Sequence, residues 1–288
     1  MTQEYFIFTE AYNCSDILKN CLKSFYKYHD DTVYVFGTEN DIKNLSEFTK
    51  IIPIIIGAGT IIDKAYSYGH LGTARIFSEA ILNYSKSKYV IHFDSDLIFK
   101  TDCLTQIKQK FKEGYDLIGP VRPYKHNLNG RDDIRHMADV VATCFIGFNK
   151  EKITSTNLDE LMYQVNGQPF EGNPTLDFFD YVSFDIIKNN GRAFYFDFEQ
   201  TGGPSQTGNR INKYKNLNED IDCGDWYIHF AGIGSGSKIY KTGIQNTHTG
   251  YADWAVKRYS LYKKLIENED IVNVPYDKEK LELYKELL

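Results

Sequence analysis

Lys88-Tyr-Val-Ile-His-Phe-Asp-Ser-Asp-Leu-Ile-Phe99 is the stretch whose reading decides the fold. Tyr89, Val90, Ile91 and Phe93 form a short apolar run of β-branched and aromatic residues, interrupted by His92. Such a run reads as a buried strand. It stops at Asp94-Ser95-Asp96, and open α/β sheets gather their ligands at the carboxyl ends of strands. Two ionised carboxylates one residue apart repel unless a cation lies between them, and hard oxygen ligands suit Mg2+ or Mn2+. The pattern predicts a site for a divalent metal and a diphosphate. The plainer alternative is a turn with solvated side chains, because Asp favours turns and caps.

Outward from this stretch the chain alternates. Tyr5 to Thr9 reads as a strand, followed by a helix capped at Ser15-Asp16 and running to about Tyr28, with Ile17, Leu18, Leu22 and Phe25 on one face. Thr32 to Phe36, ended by Gly37, is a second strand, Asp41 to Phe48 a short helix, and Ile51 to Ile56 a third strand, which Pro53 marks as an edge. Beyond the acidic turn, Leu104 to Phe111 is amphipathic. Asp116 to Pro120, Val140 to Phe148 and Ala193 to Phe198 are further strands. Strand-helix alternation predicts a Rossmann-like α/β fold with a mixed, mainly parallel sheet flanked by helices. From Tyr251 onward the pattern is helical, and the stripe of Trp254, Tyr259, Leu261, Tyr262 and Leu265 reads as a docking surface, suited also to a homodimer. The expected division is a single domain over 1–250, its nucleotide-binding half about 1–100 and its acceptor half about 101–250, with a helical extension over 251–288.

Three further segments carry candidate chemistry. Gly69 and Gly72 would let backbone approach a ligand, and Arg75 at the following helix could reach the same anion; a loop with a solvated Arg fits equally. Thr175 can cap a helix on which Asp177 and Asp180 share a face. Acids in a first turn complement the helix dipole, and a catalytic base is the sharper reading. Finally, His229 precedes a Gly-Ser-rich turn from Gly232 to Lys238, so that an imidazole, exposed amides and a cation fall within ten residues and suit a metal-bound diphosphate. A satisfied core histidine is the alternative.

Composition bounds the classes. The chain has 288 residues, 42% hydrophobic and 25% charged, an ordinary globular balance. A net charge of -6 argues against a general nucleic-acid binder. Cys14, Cys21, Cys103, Cys144 and Cys223 are odd in number and lack metal-site spacing, so they read as reduced, buried thiols. The first ten residues carry no leader pattern and no run of about 20 apolar residues follows, which predicts a soluble, cytoplasmic protein without a transmembrane segment.

In its order of parts the sequence resembles the GT-A-type nucleotide-sugar glycosyltransferases. Asp94-Ser95-Asp96 matches their Asp-x-Asp motif, Phe179-Asp180 with the following YVSFDIIKNNGRAFYF matches their acidic helix start, and His229-Phe-Ala-Gly232 with Lys238 matches their C-terminal metal-binding segment. The match departs at Phe179, where an acid is usual, and in the longer spacing from His229 to Lys238. The resemblance implies a GT-A-like fold and an enzyme that moves a sugar from a nucleoside-diphosphate sugar, by default a UDP-sugar, to a hydroxyl on a glycan, glycolipid, protein or modified nucleic-acid base. It implies that Asp96 and His229 hold Mn2+ or Mg2+, that Asp94 meets the ribose or a metal-bound water, and that Lys238 and Arg75 help bind the diphosphate. It further implies inversion with Asp180 as base, Asp177 competing for that role; a retaining enzyme would need no base on that face. Two other classes fit parts of the pattern: a haloacid-dehalogenase-type phosphatase, with Asp94 as nucleophile, and a non-catalytic sugar- or nucleotide-binding protein.

Overall fold

A computed structural model describes residues 4–11, 13–56, 84–122, 140–141, 144–153, 178–201, 221–243, 249–274, 276–277, 279–281 and 283. The segment from Gly69 to Arg75, Thr175, Asp177 and the loops at 123–133 and 202–216 lie outside the described residues.

The first half is built from parallel strands. Strand β1 (Tyr5–Ala11) pairs in parallel with β2 (Val33–Gly37) on one side and with β4 (Tyr89–Phe93) on the other, and β2 pairs in parallel with the edge strand β3 (Ile51–Ile55). Pro53 sits on that edge as its missing N–H requires. Direction then reverses. Strand β8 (Phe145–Asn149) runs antiparallel to β4 and to β6 (Leu117–Arg122), while β6 pairs in parallel with β9 (Ala193–Phe196) and antiparallel with the short β7 (Val140–Val141). The run expected as one strand from Val140 to Phe148 is thus two strands, both paired with β6, of which only β8 also pairs with β4. A second, smaller sheet has the order β10 (Ile221–Cys223), β11 (Tyr227–Phe230), β5 (Leu97–Phe99), all antiparallel.

Helix α1 (Ser15–Tyr28) lays Leu18, Leu22 and Phe25 on the sheet face formed by Tyr5, Ile7, Val33, Val35, Ile91 and Phe93, and helix α3 (Leu104–Lys112) adds Leu104, Ile107 and Phe111 to the same core. Cys14, not Ser15 or Asp16, takes the N-cap position of α1 and makes no side-chain cap; Ser15 accepts from Asn44, and Asp16 pairs with Lys241 and Tyr259. Gly147 is needed by packing: a Cβ there would lie 2.9 Å from Ile107 Cγ2 and 3.0 Å from Phe111 Cζ. Helix α2 (Glu39–Lys43) is shorter than the expected span and is capped by Thr38, whose hydroxyl accepts from the Asp41 N–H. Helices α4 (Phe178–Lys188) and α5 (Phe198–Thr201) flank the second half.

The C-terminal part crosses back over the small sheet. Helix α6 (Ile233–Thr242) is followed by α7 (Thr249–Glu269), whose Tyr259, Leu261, Tyr262 and Leu265 join Ile17, Ile98, Ile228, Phe230 and Ile233 in a second apolar cluster. The aromatic stripe expected to offer a dimer surface is buried within its own chain, Trp254 included. Among the described residues no helix is long and apolar enough to cross a membrane.

One buried polar group gives the core a pH dependence. His29 lies between Phe25 and Phe99, with Nδ1 3.1 Å from Asp102 Oδ1 and Nε2 3.8 Å from Cys103 Sγ. Burial pulls its pKa down to about 4, outweighing the opposite pull of Asp102 and Asp31. Between pH 6.5 and 4 the unfolded chain takes up a proton that folded His29 refuses, so stability falls as pH falls through that window, by on the order of 3 kcal/mol once both pKa values are passed. Urea midpoints at pH 7 and pH 4.5 test this: His29→Gln lowers stability at pH 7 but loses much less than the wild type on acidification.

Candidate functional site

The site forms where the chain passes from the large sheet to the small one. Strand β4 ends at Phe93, and the Asp94 N–H still donates to the Cys144 carbonyl at 2.9 Å, continuing the β4–β8 ladder. Asp94, Ser95 and Asp96 then turn the chain into β5, where Leu97 pairs with His229 and the Phe230 N–H donates to the Asp96 carbonyl at 3.0 Å. The antiparallel register between β5 and β11 therefore places His229 beside the two acids, 133 residues away in sequence from Asp96. His229 Nε2 lies 3.5 Å from Asp96 Oδ1 and 3.9 Å from Asp94 Oδ2. One ligand atom from each of the three residues falls within 4.8 Å of the others.

Helix α1 supports the turn from below. Cys21, held neutral by burial, donates its thiol to the Asp94 carbonyl at 3.7 Å, and Cys14 Sγ lies 3.7 Å from Ser95 Oγ. Ser24 donates to the Cys21 carbonyl at 2.7 Å and accepts from the Phe99 N–H at 2.9 Å, which pins β5 to the same helix. The thiols expected to be reduced and buried are free, with Cys223 half-buried and the other four buried.

The electrostatics are those of crowded acids. Burial pushes the Asp94 carboxyl up to about 7; His92 and His229 pull it back, while Asp96 and Glu10 push it further. Asp96 Oδ1 is buried and accepts no hydrogen bond from the described residues. A buried carboxylate oxygen without a donor is costly. Its position between a second carboxylate and an imidazole nitrogen fits a divalent cation, and the residues present suit that ion. The two acids supply hard oxygen, and the imidazole shifts the preference from Mg2+ toward the transition metals, Mn2+ among them.

Two residues here went unrecognised in the sequence. His92 is completely buried, with Nε2 2.9 Å from Glu10 Oε2 and 3.8 Å from Asp94 Oδ1. The available signal was a histidine inside an apolar strand two residues before the first acid. Of the other candidates, Asp180 lies in the first turn of α4 and its side chain is outside the described residues, as are Asp177, Gly72 and Arg75 altogether. The expected Gly-Ser-rich turn is instead helix α6: Gly232 takes its N-cap position at φ 82°, and Lys238 is exposed on its second turn. Helix formation wins because Gly236 lets α6 meet α7 backbone to backbone; a Cβ there would lie 2.0 Å from the Ala255 carbonyl oxygen.

No family model matches the chain, and no curated protein sequence does. Among solved structures the chain is similar to mouse xyloside xylosyltransferase 1 in its apo form, with a TM-score of 0.46 and 13% identity over 68% of this chain and 86% of that one. It is also similar to the galactosyltransferase LgtC in complex with donor and acceptor sugar analogs, with a TM-score of 0.48 and 12% identity over 67% of this chain and 74% of that one. The apo bifunctional glycosyltransferase WbbM gives 0.47 and 12%, over 90% and 52% of the two chains. The mixed, mainly parallel sheet with flanking helices and a C-terminal helix agrees with the architecture expected from the strand-helix alternation of the sequence.

Two glycines in α6 differ in what a side chain would meet. A Cβ on Gly234 meets nothing within 4 Å among the described residues, whereas one on Gly236 strikes α7. Gly234→Ala raises stability by about 1 kcal/mol, the helix-propensity difference, and Gly236→Ala lowers it by about 3 kcal/mol through overpacking. Thermal unfolding of the two variants reads both signs.

Proposed function

We propose that this chain is a metal-dependent glycosyltransferase that moves a sugar from a nucleoside-diphosphate sugar, a UDP-sugar by preference, to an acceptor hydroxyl. The observation that carries the proposal is the convergence of Asp94, Asp96 and His229 at the seam between the two sheets. A departing diphosphate needs positive charge beside it, and two carboxylates with an imidazole in one half-buried spot are a donor set able to hold a divalent cation there. Asp96 and His229 hold Mn2+ or Mg2+, and Asp94 completes the set or meets the ribose. An ion held by these residues would supply positive charge to offset that of the diphosphate leaving group.

The remaining roles belong to the chain's own residues. The N-terminus of α6, directly after β11, brings backbone N–H groups to the neighbourhood of His229, and such groups favour anions. Gly232 there carries no side chain to obstruct the approach. Lys238 and Arg75 are the cations offered to the phosphates. Asp180 takes the proton from the acceptor hydroxyl as it attacks the anomeric carbon from the opposite face, which inverts its configuration. Asp177 is the alternative base. Glycans, glycolipids, proteins and modified bases all present hydroxyls of the required kind.

The test is a thermal-shift panel of UDP, GDP, CDP and ADP, each with and without Mn2+. A ligand that binds the native state raises apparent stability by mass action. One nucleoside diphosphate stabilises the wild type when Mn2+ is present, and Asp96→Asn removes that shift while folding normally. A panel without response, in which phosphate mimics stabilise instead, overturns the proposal in favour of a phosphatase. With a sugar donor in hand, the anomeric configuration of the product by NMR decides between inversion and retention, and Asp180→Asn slows the inverting reaction at least 100-fold, the lower end of what a general base contributes at about 10²–10⁴.

A further inference from the structure

The face of the large sheet turned away from α1 carries a polar pair that the reaction itself does not call for. In the parallel register of β1 and β4, Phe8 stands opposite His92. Alternation along β1 places Glu10 on the same face as Phe8, one pleat nearer the carboxyl end, and alternation along β4 does the same for Asp94 relative to His92. His92 thus has Phe8 against its ring, with centroids 5.0 Å apart, and the acids Glu10 and Asp94 at its outer edge. A carboxylate only accepts, so the 2.9 Å contact to Glu10 Oε2 fixes the proton on His92 Nε2. The same nitrogen is 3.8 Å from Asp94 Oδ1, beyond hydrogen-bond reach, so its pull on that oxygen is electrostatic, while the other Asp94 oxygen, Oδ2, lies 3.9 Å from His229 Nε2.

We infer that His92, oriented by Glu10, is a positioning residue for Asp94: it fixes the rotation of that carboxylate so that Oδ2 is presented to the Asp96–His229 side of the site. The inference rests on the metal-site reading above. Without the Nε2–H between them, Glu10 and Asp94 would be two like charges at adjacent strand ends, and Asp94 would swing away from Glu10 and out of the cluster. Groups behind a metal ligand orient it in this way, and their loss typically weakens metal binding by about 10–100-fold. The alternative, a second cation held by Glu10, His92 and Asp94, is disfavoured because Nε2 is already committed to Glu10.

Mn2+ binding to the full chain, followed by loss of the free-ion EPR signal, tests the inference without any turnover. His92→Phe keeps the ring against Phe8 and removes the N–H without removing a charge; it binds Mn2+ about tenfold more weakly. His92→Gln restores a side-chain N–H and stays within about threefold of the wild type. Glu10 is approached from the half-exposed end, which keeps the test informative if His92→Phe does not fold. Glu10→Gln still accepts from the ring and binds within about threefold, whereas Glu10→Ala releases it and binds about tenfold more weakly. Wild-type affinity in folded His92→Phe, or in Glu10→Ala, overturns the positioning role, as does a His92→Gln variant as weak as His92→Phe. Asp96→Asn separates the two failures: if it binds Mn2+ like the wild type, the metal-site reading itself is wrong, and if it abolishes binding while the His92 and Glu10 variants are indifferent, the positioning role alone is wrong.

Discussion

The candidate site depends on a single crossing of the backbone, the three residues by which the chain leaves one sheet and enters another. Asp94 is still hydrogen-bonded to Cys144 as part of the large sheet, and Leu97 is already paired with His229 in the small one. Both ladders must be satisfied within that interval, since buried N–H and C=O groups left without partners are costly. The turn therefore has little freedom, and side chains at 94 and 96 are delivered to the seam whatever their chemistry. A hydrophobic residue at either position would be as well placed as an acid; the sequence spends two carboxylates there. Because ionised groups at such a spot repel and resist burial, the arrangement makes physical sense where a cation shares it.

The seam is held from three directions. From below, α1 contacts the turn through Cys21 and β5 through Ser24, two short side chains buried against them. From the antiparallel side, β11 supplies both the backbone bond to Asp96 and the imidazole. From the opposite sheet face, His92 and Glu10 stand beside Asp94. β11 contributes backbone as well as side chain, and α1 and the opposite sheet face contribute side chains, so the turn that carries the acids is fixed by the helices and strands around it, the condition for a precise site.

The sheet was legible because its strands obey simple patterning. Val33, Val35, Ile91 and Phe93 alternate against a polar or aromatic face, and Pro53 announces an edge. Asp94 and Asp96 could be found for the same reason: they end an apolar run abruptly. What periodicity does not carry is the antiparallel partner. Nothing in Tyr227–Phe230 says that it pairs with β5, and without that register His229 is one more histidine in an apolar strand. The glycines after it illustrate the opposite failure. Gly232, Gly234 and Gly236 with two serines look like a turn because glycine is a poor helix former, but contact between helices outweighs propensity where a side chain would not fit. His92 escaped notice because a lone histidine in a strand reads as a packing residue until its neighbour on β1 is known.

The small sheet itself explains why the chain carries so much structure after the last strand. Three strands of three or four residues each bury too little to stand alone. Helix α7 closes it: Tyr262 packs edge-on against Phe230 with ring centroids 5.2 Å apart, and Tyr259 and Leu265 complete the cluster with Ile98, Ile228 and Ile233. The same helix is tied to α1, where Tyr259 donates to Asp16 at 2.9 Å and Tyr262 accepts from Asn20 at 3.0 Å. Helix α1 in turn carries the cysteines under the acidic turn. His229 and the two acids are therefore fastened to one another twice, once through the β5–β11 ladder and once around the outside through α7 and α1. The aromatic stripe of the C-terminal helix, which looks from sequence like a surface for a partner, is the inner wall of that second fastening, and this is why a segment bearing none of the candidate chemistry is nonetheless built into the same core as the site.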